Sequence, residues 1–151
     1  MAGKRENFSF ATITPKNCHY QKRNKMEKQK ELFSHAATII SVKEVETSLS
    51  FYRDKLGFEI TFTWEEPVSY AILKRGEVSI HLTSSLTPPV QGDHTALYVF
   101  VYDVEALYKD YLAREVPIDT HLDTRDYGMM DFDILDPDGY RICFGQGVDH
   151  S

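Results

Sequence analysis

A stretch of eight residues occurs twice in this chain, and this repeat restricts the fold more than any other feature. Residues 35–42 read HAATIISV, and residues 94–101, 59 positions later, read HTALYVFV. An amphipathic helix pattern with acidic residues follows each copy. A repeated unit that cannot bury its own apolar face packs against its copy. The repeat therefore predicts one domain of two fused modules, with a ligand site in the groove between them.

The first module reads as one strand, one helix and three strands. Strands are predicted from alternating or bounded apolar runs at residues 36–42, 58–64, 69–74 and 77–83. A helix is predicted between the first two strands by apolar residues at helical spacing: Val45, Leu49, Tyr52 and Leu56. Gly57 then supplies the left-handed conformation that ends a helix.

The second module repeats that order. A helix is predicted at 104–114, ended by Pro117, and strands are predicted at 96–102, 119–123, 130–135 and 140–144. Residues 136–139 (DPDG) have the composition of a tight turn. The modules are therefore placed at residues 35–84 and 95–146, with a linker at 85–94.

Charge is distributed unevenly along the chain. Residues 1–31 hold eight Lys or Arg and three Glu, a net charge of +5, so the rest of the chain, with a total of −6, carries −11. We expect a basic N-terminal arm on an acidic domain, and an acidic domain disfavours nucleic acid as a partner. Met26 is an alternative start, in which case residues 1–25 would not belong to the native protein.

Two further observations bear on location. No run of apolar residues is long enough to cross a membrane, and residues 1–31 contain no apolar core of a secretory signal. The two cysteines, Cys18 and Cys143, form no disulfide framework, which favours a reducing, cytoplasmic compartment.

Two motifs carry a resemblance to a known family. Residues 50–58 (SFYRDKLGF), together with 136–140 (DPDGY) before a final apolar strand, resemble the glyoxalase, bleomycin-resistance and extradiol-dioxygenase superfamily, also called vicinal oxygen chelate. The resemblance extends over residues 35–146. It implies an α+β fold in which two tandem βαβββ modules form curved mixed sheets around a shared cleft, often completed by a homodimer.

The resemblance also raises the question of a metal ion. Metal-dependent members of the family bind through four positions, which here correspond to Ala37, His81, Ala96 and Cys143. Alanine has no ligand atom, so we expect no metal cofactor. An alternative stays open, in which His35 and His94 turn inward and join His81 and Cys143 around zinc, nickel or iron.

Aromatic residues predict the character of the cleft. If Leu97 and Val99 pack under the helix, Tyr98 and Phe100 face the cleft. The other candidate ligand contacts are Ile39, Trp64, His81, Tyr127, Arg141 and Cys143. Arg141 is a charged donor on the face of Cys143. Asp131 and Asp133 are expected to be a solvated or turn-bordering pair rather than a general acid and base.

These residues favour binding over catalysis. We expect a protein that sequesters an aromatic or amphipathic organic molecule in the cleft between the modules. The alternatives are a metal-dependent lyase, isomerase or dioxygenase of the same superfamily, and a structural dimer whose cleft is vestigial.

Overall fold

Two four-stranded sheets with the same strand order form the framework of the protein. The computed structural model describes residues 32–87 and 95–148. The first sheet, in the order β1-β4-β3-β2, contains β1 (Thr38–Val42), β2 (Glu59–Trp64), β3 (Tyr70–Arg75) and β4 (Val78–Ser84). The second, in the order β5-β8-β7-β6, contains β5 (Thr95–Phe100), β6 (Ile118–Thr124), β7 (Met129–Leu135) and β8 (Arg141–Gly147). The α+β fold with tandem βαβββ modules is therefore confirmed.

Strand direction repeats as well. β1 pairs parallel with β4 and β5 pairs parallel with β8, whereas the remaining pairs in both sheets are antiparallel. A parallel pair needs a crossover connection, and the helix of each module belongs to that crossover. No helix in the described part of the chain is long and apolar enough to span a membrane.

The helix of the first module changes type halfway. It is an α-helix over α1 (Val45–Ser50) and a π-helix over Phe51–Lys55, in which the Leu56 N–H donates to the Phe51 carbonyl, five residues back. The prediction of one regular helix through Leu56 is wrong in this second half, because spacing alone does not reveal the extra residue that a π-turn accommodates. Gly57, with φ at 74°, ends the helix as predicted.

The second helix, α2 (Val104–Ala113), begins at a side-chain cap. The Asp103 carboxylate accepts a hydrogen bond from the Ala106 N–H at 2.9 Å. α2 ends at Ala113, and Glu115, with φ at 55°, turns the chain away from the helical path. The helix therefore ends at this turn and not at Pro117.

A β-bulge in β2 changes which residues face the core. Ile60 lies opposite Leu73, which is buried in the core. After the register shift Phe62 lies opposite Ile72, the residue next to Leu73 in β3, whose side chain is on the other face of the sheet. The strict alternation along residues 58–64 places Ile60 and Phe62 on one face, so that prediction is wrong from the bulge onward. The bulge turns Phe62 and Trp64 away from the core.

Two tyrosines at the same place in the repeat join the modules. Tyr52 and Tyr111 are 59 residues apart, and both are completely buried. The Tyr52 hydroxyl donates to Asp136 Oδ2 at 2.9 Å, in the turn between β7 and β8. The Tyr111 hydroxyl donates to the Leu56 carbonyl at 3.2 Å and accepts from Arg75 Nη1 at 3.0 Å. Each helix therefore bonds to the opposite module.

Asp136 is the acceptor that organises the first of these contacts. Its other carboxylate oxygen accepts from the Asp138 and Tyr140 N–H groups at 2.9 and 2.8 Å. Burial raises the pKa of Asp136, although these three hydrogen bonds oppose the rise. The DPDG turn thus orients the Asp136 carboxylate as the hydrogen-bond acceptor for the Tyr52 hydroxyl.

Replacing Tyr52 by phenylalanine should destabilise the protein. The change leaves a buried carboxylate oxygen without its donor, at an expected loss of about 1–3 kcal/mol in the free energy of unfolding. Urea denaturation measures it. The matched control is Tyr102→Phe, at a fully exposed tyrosine, which should leave the midpoint unchanged. Equal midpoints for the two variants would show that the Tyr52 bond does not hold the modules together.

Candidate functional site

In each sheet, one face packs in the core with the helices and the other carries the candidate ligand residues. We call the latter the open face. The first open face comprises Ile39, Phe62, Trp64, Tyr70, Ile72 and His81. The second comprises Tyr98, Phe100, Arg125, Tyr127, Asp131 and Cys143.

The first open face is a row of apolar side chains that water can reach. Strand register aligns Ile39, His81, Ile72 and Phe62 across all four strands. The Phe62 and Trp64 rings stack with centroids 6.4 Å apart and an interplanar angle of 19°. Phe62 is 44% exposed and Trp64 is 59% exposed. This face therefore presents aromatic and aliphatic side chains, several of which the described part of the chain leaves exposed.

His81 is the polar group within that surface. Its Nδ1 lies 2.5 Å from the Tyr70 hydroxyl, and the two rings meet edge to face. The hydrogen bond occupies one ring nitrogen and fixes the ring plane. Nε2 is thus the atom of His81 that can bond to a ligand.

The second open face is organised by Asp131, whose exposed fraction is only 3%. Arg125 Nε donates to its Oδ1 at 2.7 Å, and Oδ2 accepts from the hydroxyls of Tyr127 at 2.7 Å and Tyr98 at 3.3 Å. Burial alone would raise the pKa of Asp131, but these donors outweigh it and hold the pKa below its usual value. The expectation of a solvated Asp131 is wrong, because alternation along β7 gives the face but not the donors that converge there.

Tyr98 lies close against β8 because residue 145 is glycine. A Cβ atom at Gly145 would come within 1.9 Å of the Tyr98 hydroxyl oxygen. The Tyr98 ring contacts the largely exposed Phe100 with centroids 4.9 Å apart. Burial and the Asp131 carboxylate raise the Tyr98 pKa, and the hydrogen bond to Asp131 is the main reason that the Tyr127 pKa rises to about 12. Both phenols are neutral hydrogen-bond donors.

The remaining candidates lie in different surroundings. Arg141 Nε donates to Asp119 Oδ2 at 2.8 Å, so its charge is paired within the sheet. Cys143 is buried, and desolvation, followed by Asp133, raises the pKa of its thiol. His35 is exposed and precedes β1. His94 lies outside the described residues.

Among the described residues, the strand positions paired with His81 and Cys143 offer no free ligand atom for a metal ion. The β1 residue paired with His81 is Ile39, and the β5 residue paired with Cys143 is Tyr98. Isoleucine has no ligand atom, and the Tyr98 hydroxyl is engaged with Asp131. Across residues 32–87 and 95–148, no three His, Cys, Asp or Glu side chains come together in a way that could hold a metal ion.

Comparison with solved structures finds the same fold in several bacterial proteins. TioX from Micromonospora sp. ML1 is 16% identical, with a TM-score of 0.66 over 77% of this chain and 100% of that one. The bleomycin-binding protein from Streptomyces verticillus, complexed with copper(II)-bleomycin, is 24% identical, with a TM-score of 0.60 over 78% and 98%. Lactoylglutathione lyase from Agrobacterium tumefaciens is 19% identical, with a TM-score of 0.61 over 78% and 96%.

Sequence comparison points to the same group of proteins. A search of curated proteins gives no match. Residues 32–144 match the family model described as Glyoxalase/Bleomycin resistance protein/Dioxygenase superfamily, which is most of the chain and includes both modules. Together with the repeated βαβββ topology, this match places the chain in the Glyoxalase/Bleomycin resistance protein/Dioxygenase superfamily.

Proposed function

We propose that this protein binds an aromatic or amphipathic organic molecule, without a metal ion, as a homodimer in the cytoplasm. The observation that carries the proposal is the stacked, solvent-facing pair Phe62 and Trp64 on the first open face. Large aromatic side chains left in water favour a partner that covers them, and a planar ligand does so at low entropic cost.

One polar group beside an aromatic surface suits an amphipathic ligand. His81 lies in the same row as Phe62, and the Nδ1 atom of His81 is hydrogen-bonded to the Tyr70 hydroxyl. Nε2 is then available to a hydroxyl, carbonyl or other polar group on the ligand. Small-molecule sites typically combine apolar walls with a few such oriented groups.

The chemistry of the family's metal positions supports binding without a metal. Two of the four positions that the resemblance assigns to ligands are alanine, Ala37 and Ala96. A coordinating cysteine is a thiolate, whereas burial and Asp133 raise the pKa of the Cys143 thiol. His81 alone would leave a metal ion with one protein ligand from this set.

A second copy of the chain would complete the site. Ligand sites usually bury 70–90% of a ligand's surface, and one face of a sheet covers only one side of a planar molecule. The second open face of a partner subunit, with Tyr98, Phe100 and Tyr127, would supply an aromatic wall opposite Trp64. The bleomycin-binding protein with copper(II)-bleomycin is an example of this fold with an organic ligand.

Fluorescence of Trp64 tests binding directly, because the chain contains one tryptophan. We expect saturable quenching by 4-nitrobenzyl alcohol, a flat aromatic with one polar end. Phe62→Ala removes half of the stacked surface and should weaken binding roughly two- to tenfold. The control is Leu112→Ala, at a comparably exposed leucine on α2, which should not change the affinity.

Three outcomes would contradict this part of the proposal. They are quenching that never saturates, equal affinity in the two alanine variants, and a mass of one chain rather than twice 17.4 kDa by sedimentation equilibrium at saturating ligand.

Elemental analysis tests the absence of a metal ion. The purified protein should contain well under one equivalent of zinc, nickel or iron per chain, and His81→Ala should leave that amount unchanged. His121→Ala is the matched control. The Nδ1 atom of His121 is also hydrogen-bonded to a tyrosine hydroxyl, that of Tyr108 at 2.6 Å, but Tyr108 belongs to α2 of the second module. Stoichiometric metal lost with His81 and kept in the control would favour a metal-dependent lyase, isomerase or dioxygenase instead.

A further inference from the structure

The buried Asp131 carboxylate fixes the direction of the hydrogen bonds on the second open face. The hydroxyls of Tyr98 and Tyr127 both donate to its Oδ2 atom, at 3.3 and 2.7 Å. A phenol has one proton to donate, and its oxygen has lone pairs that accept. Since both protons are directed at Asp131, Tyr98 and Tyr127 can meet a ligand only as hydrogen-bond acceptors.

The guanidinium groups of this side of the sheet are each paired with a carboxylate. Arg125 Nε donates to Asp131 Oδ1 at 2.7 Å, and its Nη2 donates to two backbone carbonyls, both at 3.3 Å. Arg141, two residues before Cys143 and on the same side of β8, donates from Nε to Asp119 Oδ2 at 2.8 Å. The positive charge of each guanidinium is thus matched by a negative charge within the sheet.

Asp133 is a carboxylate on the same side of the sheet that has no positive partner in the described part of the chain. It lies two residues after Asp131 in β7, opposite Cys143 in β8, and it is half-buried. The Cys143 thiol is hydrogen-bonded to it, but none of the ion pairs within residues 32–87 and 95–148 includes it. Asp123, opposite Asp131 in β6, is a further carboxylate on this side. The carboxylates of Asp119, Asp123, Asp131 and Asp133 thus outnumber the guanidinium groups of Arg125 and Arg141.

Aromatic rings lie beside this carboxylate. Tyr98, Cys143 and Asp133 are neighbours in three adjacent strands, and adjacent strands are about 5 Å apart. The Tyr98 ring contacts that of Phe100 with centroids 4.9 Å apart, and Phe100 is 76% exposed. A cation is attracted to the faces of such rings as well as to a carboxylate. The second open face therefore combines hydrogen-bond acceptors, negative charge and aromatic rings, which together suit an ammonium group.

We propose that the ligand of the open faces is an aromatic ammonium compound and that Asp133 binds its ammonium group. This inference rests on the proposed function, in which the second open face of a partner subunit lies opposite Trp64. The aromatic ring of the ligand lies against Phe62 and Trp64. Its ammonium group donates to the Asp133 carboxylate and the Tyr127 phenol oxygen of the partner subunit. An anionic group in the same place would meet acceptors and an excess of negative charge.

Three probes that share a nitrobenzene ring test the charge of the ligand. Quenching of Trp64 in the full chain is measured with 4-nitrobenzylammonium, 4-nitrobenzyl alcohol and 4-nitrobenzoate. The ammonium compound should bind at least about fivefold more tightly than the alcohol, as expected for one charge contact near a protein surface, and the benzoate more weakly than the alcohol. Saturable binding of the alcohol with no preference for the ammonium compound would overturn this inference and leave the proposed function intact. No saturable quenching by any of the three would overturn both.

Asp133→Asn tests the residue, because it removes the charge and retains an acceptor oxygen for the Cys143 thiol. The affinity for 4-nitrobenzylammonium should fall about fivefold, to that of the alcohol, whereas the affinity for the alcohol should not change. The control is Glu46→Gln, which removes one negative charge from an exposed position on α1 and should preserve the preference. A preference that survives in Asp133→Asn, or an equal loss of affinity for the ammonium compound and the alcohol, would overturn the assignment of Asp133.

Discussion

The reciprocal bonds of Tyr52 and Tyr111 are the constraint on which the rest of the structure depends. Each hydroxyl is buried and reaches a polar atom of the opposite module. A buried hydroxyl or carboxylate without its partner is costly, so these bonds favour one arrangement of the modules. The helices therefore pack against the core face of each sheet. The opposite face of each sheet lies outside this core, and it is there that the proposed ligand would bind.

Much of the fold could be predicted from the sequence because it follows from local rules. The repeat at His35 and His94 fixes two equivalent modules, alternation locates the strands, and Gly57 ends the helix where a left-handed residue is needed. The candidates His81 and Tyr98 follow in the same way, from the side of the strand on which each lies, whereas Trp64 is a candidate for its aromatic ring and not for its strand side. Their contact with a ligand remains a prediction.

The rest depends on pairing partners that periodicity does not reveal. The bulge between Ile60 and Phe62 is defined by how β2 pairs with β3, so the sequence of β2 alone does not reveal it. This bulge turns Trp64 to the open face. The burial of Asp131 depends on Tyr98, 33 residues earlier, and on a glycine at 145 that lets the tyrosine approach. A sequence pattern gives the face of a strand, whereas the register between strands decides what that face meets.

The most direct measurement of the central claim is ¹⁹F NMR of protein carrying 5-fluorotryptophan, which labels Trp64 alone. Without ligand, the resonance should show a clear shift between H₂O and D₂O, because the ring faces solvent. Saturating 4-nitrobenzyl alcohol should move the resonance and remove most of that solvent shift. A resonance that keeps its position and its full solvent shift at saturating ligand would show that the first open face is not where the ligand binds.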